Sequence, residues 1–184
     1  MHFAPIERPA GIVLRIAYWV AKRRYGKVPT VMKVLYARRP IFLWASLKIA
    51  NTLPRVKLEP ELRLLIGAYA SFLNGCMFCR DLAEAEAVKH RIGLDKFKAL
   101  QAPEQSDAFN ARERAALAYV AALLKDKHVP ESTFESLRKH FNDVEILDII
   151  WLTAAESYFN ALAVPLGIGN DGLRQLAERN SARA

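Results

Sequence analysis

The sequence predicts a single-domain, all-α protein. Apolar residues recur at spacings of three and four along nearly the whole chain, and no convincing period-two alternation marks a strand. Hydrophobic residues make up 52% of the 184 positions, which is enough to build one sizeable core. Several segments also begin with a polar cap residue that is followed three positions later by Glu, a typical helix start. We therefore expect a bundle of helices, preceded by a helical N-terminal extension.

The first predicted region, residues 1–54, is basic and aromatic. Residues 1–57 hold 12 Lys/Arg and one acid (+11), whereas residues 58–184 hold 15 Lys/Arg and 18 acids (−3). Such a surface fits anionic lipid, nucleic acid or an acidic partner, but charge runs more often form only the solvated face of a helix. We expect no nucleic-acid binding, and we keep peripheral membrane contact through residues 10–24 as a hypothesis.

Three helical segments are expected in this N-terminal region. The first ends at Gly26, after a basic cluster that favours the negative end of the helix dipole. Pro40 separates the other two, which cover residues 31–37 and 41–50. One face of the first segment is apolar and consists of Ile12, Val13, Ile16, Trp19 and Val20.

The second predicted region, residues 55–170, carries the strongest helical patterns. Pro60 stands between two acids, and proline and acids both suit the first turn of a helix. The next helix is expected to begin at the cysteines, and three more begin at capping boxes headed by Asn110, Ser132 and Asn142. Residues 171–184 are expected to form a short helix and a polar tail.

Cys76 and Cys79 are the only cysteines, and they are predicted to lie at the start of a helix. Residues three apart share a helical face, so one thiol can attack an oxidant while the other resolves the product, without metal or cofactor. The first-turn amides stabilise a thiolate, and we expect Cys76 to be the more exposed of the two. A zinc site is not expected, because His90 lies about 16 Å away by helix rise. The alternative is two ordinary buried cysteines.

We expect the protein to be cytoplasmic, with both thiols normally reduced. The N-terminus lacks the apolar run of a secretory signal. The longest apolar stretch, residues 146–155, is interrupted by Asp148 and is too short to span a bilayer.

The stretch Leu-Asn-Gly-Cys-Met-Phe-Cys-Arg-Asp at residues 73–81 resembles the signature of the carboxymuconolactone decarboxylase family, which has the alkyl hydroperoxidase D-like (AhpD-like) fold. Residues 109–119 and 156–160 also resemble parts of that family. The resemblance implies an AhpD-like helical bundle that assembles as a homo-oligomer. In redox-active members a dithiol in an apolar pocket reduces hydroperoxides and is recharged by a thiol-disulfide partner. Other members decarboxylate a lactone without depending on a dithiol.

The resemblance also implies roles for single residues. Cys79 would attack the hydroperoxide and Cys76 would exchange with the reductant, although the roles could be exchanged. Redox-active members carry a Glu and a His where this chain has Leu64 and Ala83, so the family's base for the second thiol is missing. We consider Asp81 and Glu156 as acids that could replace it.

The expected substrate pocket contains Tyr69, Met77 and Phe78, whose apolar character suits an organic hydroperoxide or another lipophilic substrate. Three functions follow from these observations. The first is a dithiol peroxidase or thiol-disulfide oxidoreductase. The second is a non-redox enzyme that acts on a small carboxylic substrate, and the third is a non-catalytic protein that binds a membrane surface or a partner.

Overall fold

The computed structural model describes residues 1–182, which form helices joined by short connections, with no strand in that part of the chain. The α-helices are α1 (Ile12–Tyr25), α2 (Pro40–Ala50), α3 (Pro60–Leu73), α4 (Met77–Lys89), α5 (Asp95–Ala99), α6 (Ala111–Ala121), α7 (Glu131–Arg138), α8 (Asp143–Ala163) and α9 (Leu173–Ser181). Single π-helical turns at Met32–Tyr36 and Ala122–Asp126, and short 3₁₀ turns, lie between them. The all-α prediction is confirmed.

Helix α3 lies at the centre of the bundle and packs against α4, α6 and α8. Its Leu65 and Ile66 are fully buried and belong to one large core with Leu117 of α6 and Ile149 of α8. The apolar positions of α3 recur at helical spacing on both sides of the helix, which is the pattern of a helix surrounded by others.

Helices α4 and α9 form a second packed layer around the cysteines. Cys76 and Cys79 belong to a smaller apolar cluster that also contains Val34, Ala163 and Leu173. The N-terminal region therefore contributes to the surroundings of the cysteines through the turn that contains Val34.

A buried carboxylate fixes the N-terminal region to the start of α9. Asp171 accepts a hydrogen bond from Lys27 Nζ at 2.6 Å and from the backbone and hydroxyl of Thr30 at 2.7 and 2.8 Å. Because its side chain is only 6% exposed, these bonds are shielded from water and hold the two regions together.

The apolar face predicted for the first helix lies outward. Ile12, Val13, Ile16, Trp19 and Val20 are each between 49% and 68% exposed, while the opposite side of α1 packs onto the core through Leu14, Tyr18 and Ala21. Helix α1 is therefore apolar on two sides. One side packs on the core, and the other is exposed.

Two of the three predicted capping boxes are confirmed. Asn110 and Asn142 each accept from the backbone N–H three residues later, and the following Glu bonds back to the cap. The box at Ser132 is wrong, because Pro130 caps α7 and Ser132 already lies inside the helix. No side-chain cap bonds the first-turn amides of α7, and Pro130, with a φ of −59°, is the residue before the helix.

Helix α8 is longer than the apolar stretch recognised in the sequence. With the turn after it, the segment Asp143–Leu166 has 24 residues and a mean hydropathy of 1.2, so by length and composition alone it could cross a membrane. The prediction that the stretch was too short is therefore not supported. Core helices of soluble bundles share this property, and one side of α8 packs along α3.

Candidate dithiol site

The two cysteines form a disulfide at the N-terminus of α4. Cys76 is the N-cap residue, and its Sγ accepts a hydrogen bond from the backbone N–H of Cys79 at 3.3 Å. The turn Asn74-Gly75 precedes it, and Gly75 has a φ of +70°, a conformation that favours glycine. The helix dipole and this amide both stabilise negative charge at the Cys76 sulfur when the bond is reduced.

Both cysteines are buried, which corrects the expectation that Cys76 would be exposed. Cys76 is 2% exposed and Cys79 is 6% exposed. The N-cap position places the Cys76 side chain between α4 and its neighbours, where it packs with Phe78, Ala163 and Ile168. An apolar environment of this kind favours an uncharged, organic reactant over a charged one.

Asp81 caps another helix. Its carboxylate is 1% exposed and accepts from three backbone N–H groups at the start of α9, those of Asp171 (3.1 Å), Leu173 (2.8 Å) and Arg174 (3.1 Å). These donors satisfy the carboxylate and compensate the positive end of the α9 dipole. The catalytic role predicted for Asp81 stays a prediction, and the structure assigns it a structural role as well.

Glu156 lies in a polar network between α3 and α8. Its Oε1 accepts from the hydroxyl of Ser71 at 2.7 Å and from Nδ2 of Asn160 at 2.9 Å. Asn74 in turn donates to Oδ1 of Asn160 at 2.9 Å. The network reaches the cysteine turn, because the carbonyl of Ser71 accepts from the backbone N–H of Cys76 at 2.8 Å.

Burial raises the pKa of the Glu156 carboxyl, and the hydrogen bonds from Ser71 and Asn160 offset this only in part. Among residues 1–182, both of these donors bind Oε1 and not Oε2. Oε2 lies 3.6 Å from the position that a Cβ on Gly67 would occupy. The absence of a side chain at Gly67 thus leaves space beside the oxygen that can carry a proton.

The three predicted pocket residues do not come together. Tyr69 is 2% exposed in the main core, where its ring stacks at 6.4 Å on Phe72. Phe78 is buried beside the cysteines, and Met77 is 61% exposed and touches the region of Gly169. Only Phe78 and Met77 therefore adjoin the disulfide.

Ser71 and Asn74 are the site residues that the sequence analysis missed. Asn160 follows Glu156 by four positions, and this spacing on one helical face indicates the polar contact with Glu156 that the structure contains. Ser71 and Asn74 stand near the C-terminal end of α3, three apart, and their polarity interrupts an apolar helix just before the cysteines.

Comparisons with known proteins place this geometry in a wider group. No protein-family model matches the chain. An uncharacterized protein of Escherichia coli K12, YnjA, is 25% identical over 173 residues, which span 92% of this chain and 94% of YnjA.

Two solved structures share the arrangement of helices. A protein of unknown function from Agrobacterium tumefaciens, ATU0492, suggested to be an AhpD antioxidant defence protein, is 29% identical, with a TM-score of 0.70 over 74% of this chain and 96% of that one. A peroxidase-related AhpD-core protein from Ralstonia eutropha JMP134 is 25% identical, with a TM-score of 0.79 over 95% of both chains.

The chain therefore has the AhpD-like fold that the sequence resemblance predicted. Within this fold it carries a Cys-x-x-Cys disulfide, and proteins of similar structure bear antioxidant or peroxidase-related names.

Proposed function

We propose that the protein is a dithiol oxidoreductase that reduces organic hydroperoxides at Cys76 and Cys79. The observation that carries the proposal is the disulfide itself, in which the chain's only two cysteines meet at a helix N-terminus. The apolar packing around the sulfur atoms and the peroxidase-related names of similar structures support it. We expect the cytoplasm as its location, because thiol reductants there keep such a pair active.

The proposed cycle balances without a cofactor. One thiolate attacks the outer oxygen of the hydroperoxide, the O–O bond breaks, and the alcohol leaves with a proton from the site. The resulting sulfenic acid condenses with the second thiol, which forms the disulfide and releases water. An external dithiol then returns two electrons and two protons by thiol-disulfide exchange.

Cys76 is the sulfur best placed to carry negative charge in this cycle. It accepts the Cys79 N–H and caps α4, so its thiolate is the more stabilised of the two. We propose that Cys76 is the thiolate that leaves when the reductant attacks the Cys79 sulfur. This is the reverse of the assignment that the family resemblance implies, in which Cys76 exchanges with the reductant.

We propose further that Glu156 holds a proton for this cycle in place of the Glu and His that are missing at Leu64 and Ala83. Its support is a partly buried carboxyl whose pKa is raised, with one oxygen that the network leaves without a donor. It is linked to the cysteine turn through Ser71. Because the link is indirect, Glu156 is a positioning residue.

The test starts from reduced protein and one equivalent of tert-butyl hydroperoxide, followed by mass spectrometry and thiol counting. We expect loss of two hydrogens at a rate at least about 100-fold above that of free dithiothreitol. The variants Cys76→Ser and Cys79→Ser should stop at a sulfenic acid or fail to react. A wild-type rate no faster than dithiothreitol would overturn the proposal.

The role of Glu156 is tested by the pH profile of the same reaction. Glu156→Gln should slow disulfide formation by about 100-fold near neutral pH and much less at alkaline pH, where hydroxide takes the proton. A purely structural role would lower the rate equally at all pH values. The matched control is Glu113→Gln, which changes a buried glutamate in the first turn of α6 that accepts a hydrogen bond from Lys96.

A second function, contact with anionic membranes, is favoured by the outward apolar face of α1. Trp19 is 60% exposed, Arg23 stacks on its ring at 5.5 Å, and the last turn of α1 is basic. Binding to phosphatidylserine vesicles that weakens with salt and is lost in Trp19→Glu would support it.

Catalysis that survives in the double variant Cys76→Ser/Cys79→Ser would instead favour the non-redox enzyme.

A further inference from the structure

Two segments from different parts of the chain cover the disulfide. Cys76 and Cys79 are only 2% and 6% exposed, whereas thiol-disulfide exchange requires a thiolate to touch one of the two sulfur atoms. Val34, in the π-helical turn between α1 and α2, and Ile168, in the loop after α8, pack in the same apolar cluster as the cysteines. We name these two residues the covers. Neither lies in an α-helix, so we expect the covers to move more readily than the helices around the sulfur atoms.

An N-terminal strap, residues 1–7, connects the two covers from outside. The backbone N–H of His2 donates to the carbonyl of Leu166 at 3.1 Å. The backbone N–H of Ile6 donates to the carbonyl of Lys33, also at 3.1 Å. Leu166 packs against the cysteine cluster, and Lys33 lies in the turn that contains the other cover. The strap therefore fixes the two covers relative to each other.

Arg38 is an exposed side chain that anchors the strap. Its Nη2 donates to the carbonyl of Ala4 at 2.7 Å, and its guanidinium lies 5.5 Å from the centre of the Phe3 ring. Its Nη1 donates to the carbonyl of Val34 at 2.8 Å. One side chain thus binds the strap and one of the covers at the same time. Because Arg38 is exposed, replacing it should free the strap without disturbing the core.

Polar contacts hold the strap more than burial does. Residues 1–5 are exposed, including Phe3 at 48%, and Ile6 is half-buried. The hydroxyl of Tyr18 adds a hydrogen bond to the carbonyl of Ile6 at 2.8 Å. Segments with few buried apolar groups and with exposed hydrogen bonds open locally at a small fraction of the free energy of global unfolding. The strap can therefore open while the helical bundle stays folded.

The loop beneath the strap has a glycine on each side of Ile168. Gly167 has a φ of +64°, and a Cβ on it would lie 3.0 Å from the backbone nitrogen of Met1, so the strap and the loop meet backbone to backbone. A Cβ on Gly169 would lie 3.8 Å from Cε of Met77, the exposed residue between the cysteines. The two glycines give the loop the freedom to turn Ile168 away from the sulfur atoms once the strap has opened.

We propose that the strap gates access to the disulfide. While it is bound, Val34 and Ile168 stay over the sulfur atoms, and when it opens the loop can turn and a dithiol reductant reaches the bond. One thiolate of the reductant attacks one sulfur, and the other protein sulfur leaves as a thiolate that takes up a proton. The second thiol of the reductant then closes its own disulfide and releases the first sulfur as a thiol. The gate concerns the disulfide alone and does not require the peroxidase reaction.

The test is the rate at which dithiothreitol reduces the oxidised full chain, measured by quenched alkylation and mass spectrometry. The double variant Arg38→Met/Tyr18→Phe removes two side-chain anchors of the strap and nearly keeps the size of both side chains. Its second-order rate constant should rise by at least about 10-fold, because each lost hydrogen bond favours the bound strap by a few-fold. Deletion of residues 2–7, which contain no helix, should raise the rate constant at least as much and leave the helix content unchanged.

Arg39→Met is the matched control, because it removes the same charge from the adjacent exposed residue, whose guanidinium stacks on Phe42. Its rate constant should equal that of the wild type. Reduction of the double variant and of the deletion variant at the wild-type rate would overturn the proposal, and so would an equal acceleration in Arg39→Met.

Hydrogen exchange separates opening of the strap from loosening of the whole protein. In the double variant the amide of Ile6 should lose protection, whereas the amides of Leu65 and Ile66 in the buried centre of α3 should keep theirs. An equal loss of protection in α3 would mean that faster reduction comes from general destabilisation, and the gate would be rejected.

Discussion

Asp81 and Glu156 are two acids that the sequence marks as similar and the structure separates. Asp81 stands between α4 and α9 and receives three backbone N–H groups that belong to a helix start. Glu156 stands between α3 and α8 and receives two neutral side-chain donors, both on the same oxygen. Asp81 is held by backbone N–H groups, whereas Glu156 is held by side chains that can rotate.

The difference shows how surroundings decide what a buried carboxylate can do. Backbone amides at a helix N-terminus satisfy a carboxylate and hold it in a fixed position. Two neutral side-chain donors compensate burial incompletely, and burial therefore raises the pKa of Glu156. Asp81 fits a structural anion that caps α9, and Glu156 fits a group that exchanges a proton.

The largest effect is expected from removing the structural anion. Asp81→Ala leaves the amides of Asp171, Leu173 and Arg174 without their acceptor, and α9 loses its cap. We expect the free energy of unfolding to fall by about 2–4 kcal/mol. Urea denaturation followed by circular dichroism measures it.

The control for Asp81→Ala is Glu135→Ala, whose side chain is 54% exposed. It should change the free energy of unfolding by no more than about 0.5 kcal/mol. If Asp81→Ala costs as little as the control, the cap on α9 contributes nothing and the comparison fails.

A smaller, pH-dependent effect is expected at Glu156. The folded-state pKa lies above the unfolded value of 4.5, so the protonated carboxyl is favoured by folding. Its contribution to stability is complete below pH 4.5 and is lost as the pH rises through the folded pKa. Glu156→Gln cannot ionise, so the variant should gain stability relative to the wild type as the pH rises.

Urea midpoints of both proteins at several pH values between about 4 and 8 measure this difference. Glu113→Gln should behave oppositely at neutral pH and lose stability, because Glu113 binds Lys96 Nζ at 2.6 Å and the backbone N–H of Asn110. A constant difference between Glu156→Gln and the wild type at every pH would show that the carboxyl does not titrate in this range.

The separation of interacting residues along the chain explains what the sequence could predict. The starts of α3, α6 and α8 were predictable, because the residues that set them lie within one turn, as in Asn110 and Glu113. The disulfide pair was predictable for the same reason. The distant partners of Glu156 and Asp81 were not predictable, since Ser71 lies 85 positions from Glu156 and Leu173 lies 92 positions from Asp81.

Periodicity also could not show which side of a helix packs inward. It correctly grouped the apolar face of α1 that contains Trp19, but a one-dimensional pattern does not say whether the core or a partner covers that face. The predicted pocket failed for a related reason. Tyr69 and Phe78 are close in sequence, but they belong to different apolar clusters.

The smallest expected effect concerns the glycine beside Glu156. Gly67 lies within α3, where glycine costs about 0.5–1 kcal/mol relative to alanine. A Cβ there would meet only Oε2 of Glu156, at an ordinary contact distance of 3.6 Å. Gly67→Ala should therefore stabilise the protein by up to about 1 kcal/mol at acidic pH, where the carboxyl is neutral.

At higher pH this gain should shrink, because the added methyl group removes water from an ionised oxygen. In the Glu156→Gln background the gain should be the same at every pH, since nothing there ionises. Urea denaturation of the four proteins across pH gives the coupling between the two positions directly. A pH-independent gain in both backgrounds would mean that the space at Gly67 does not serve the proton on Glu156, and that the glycine is only a weak point in α3.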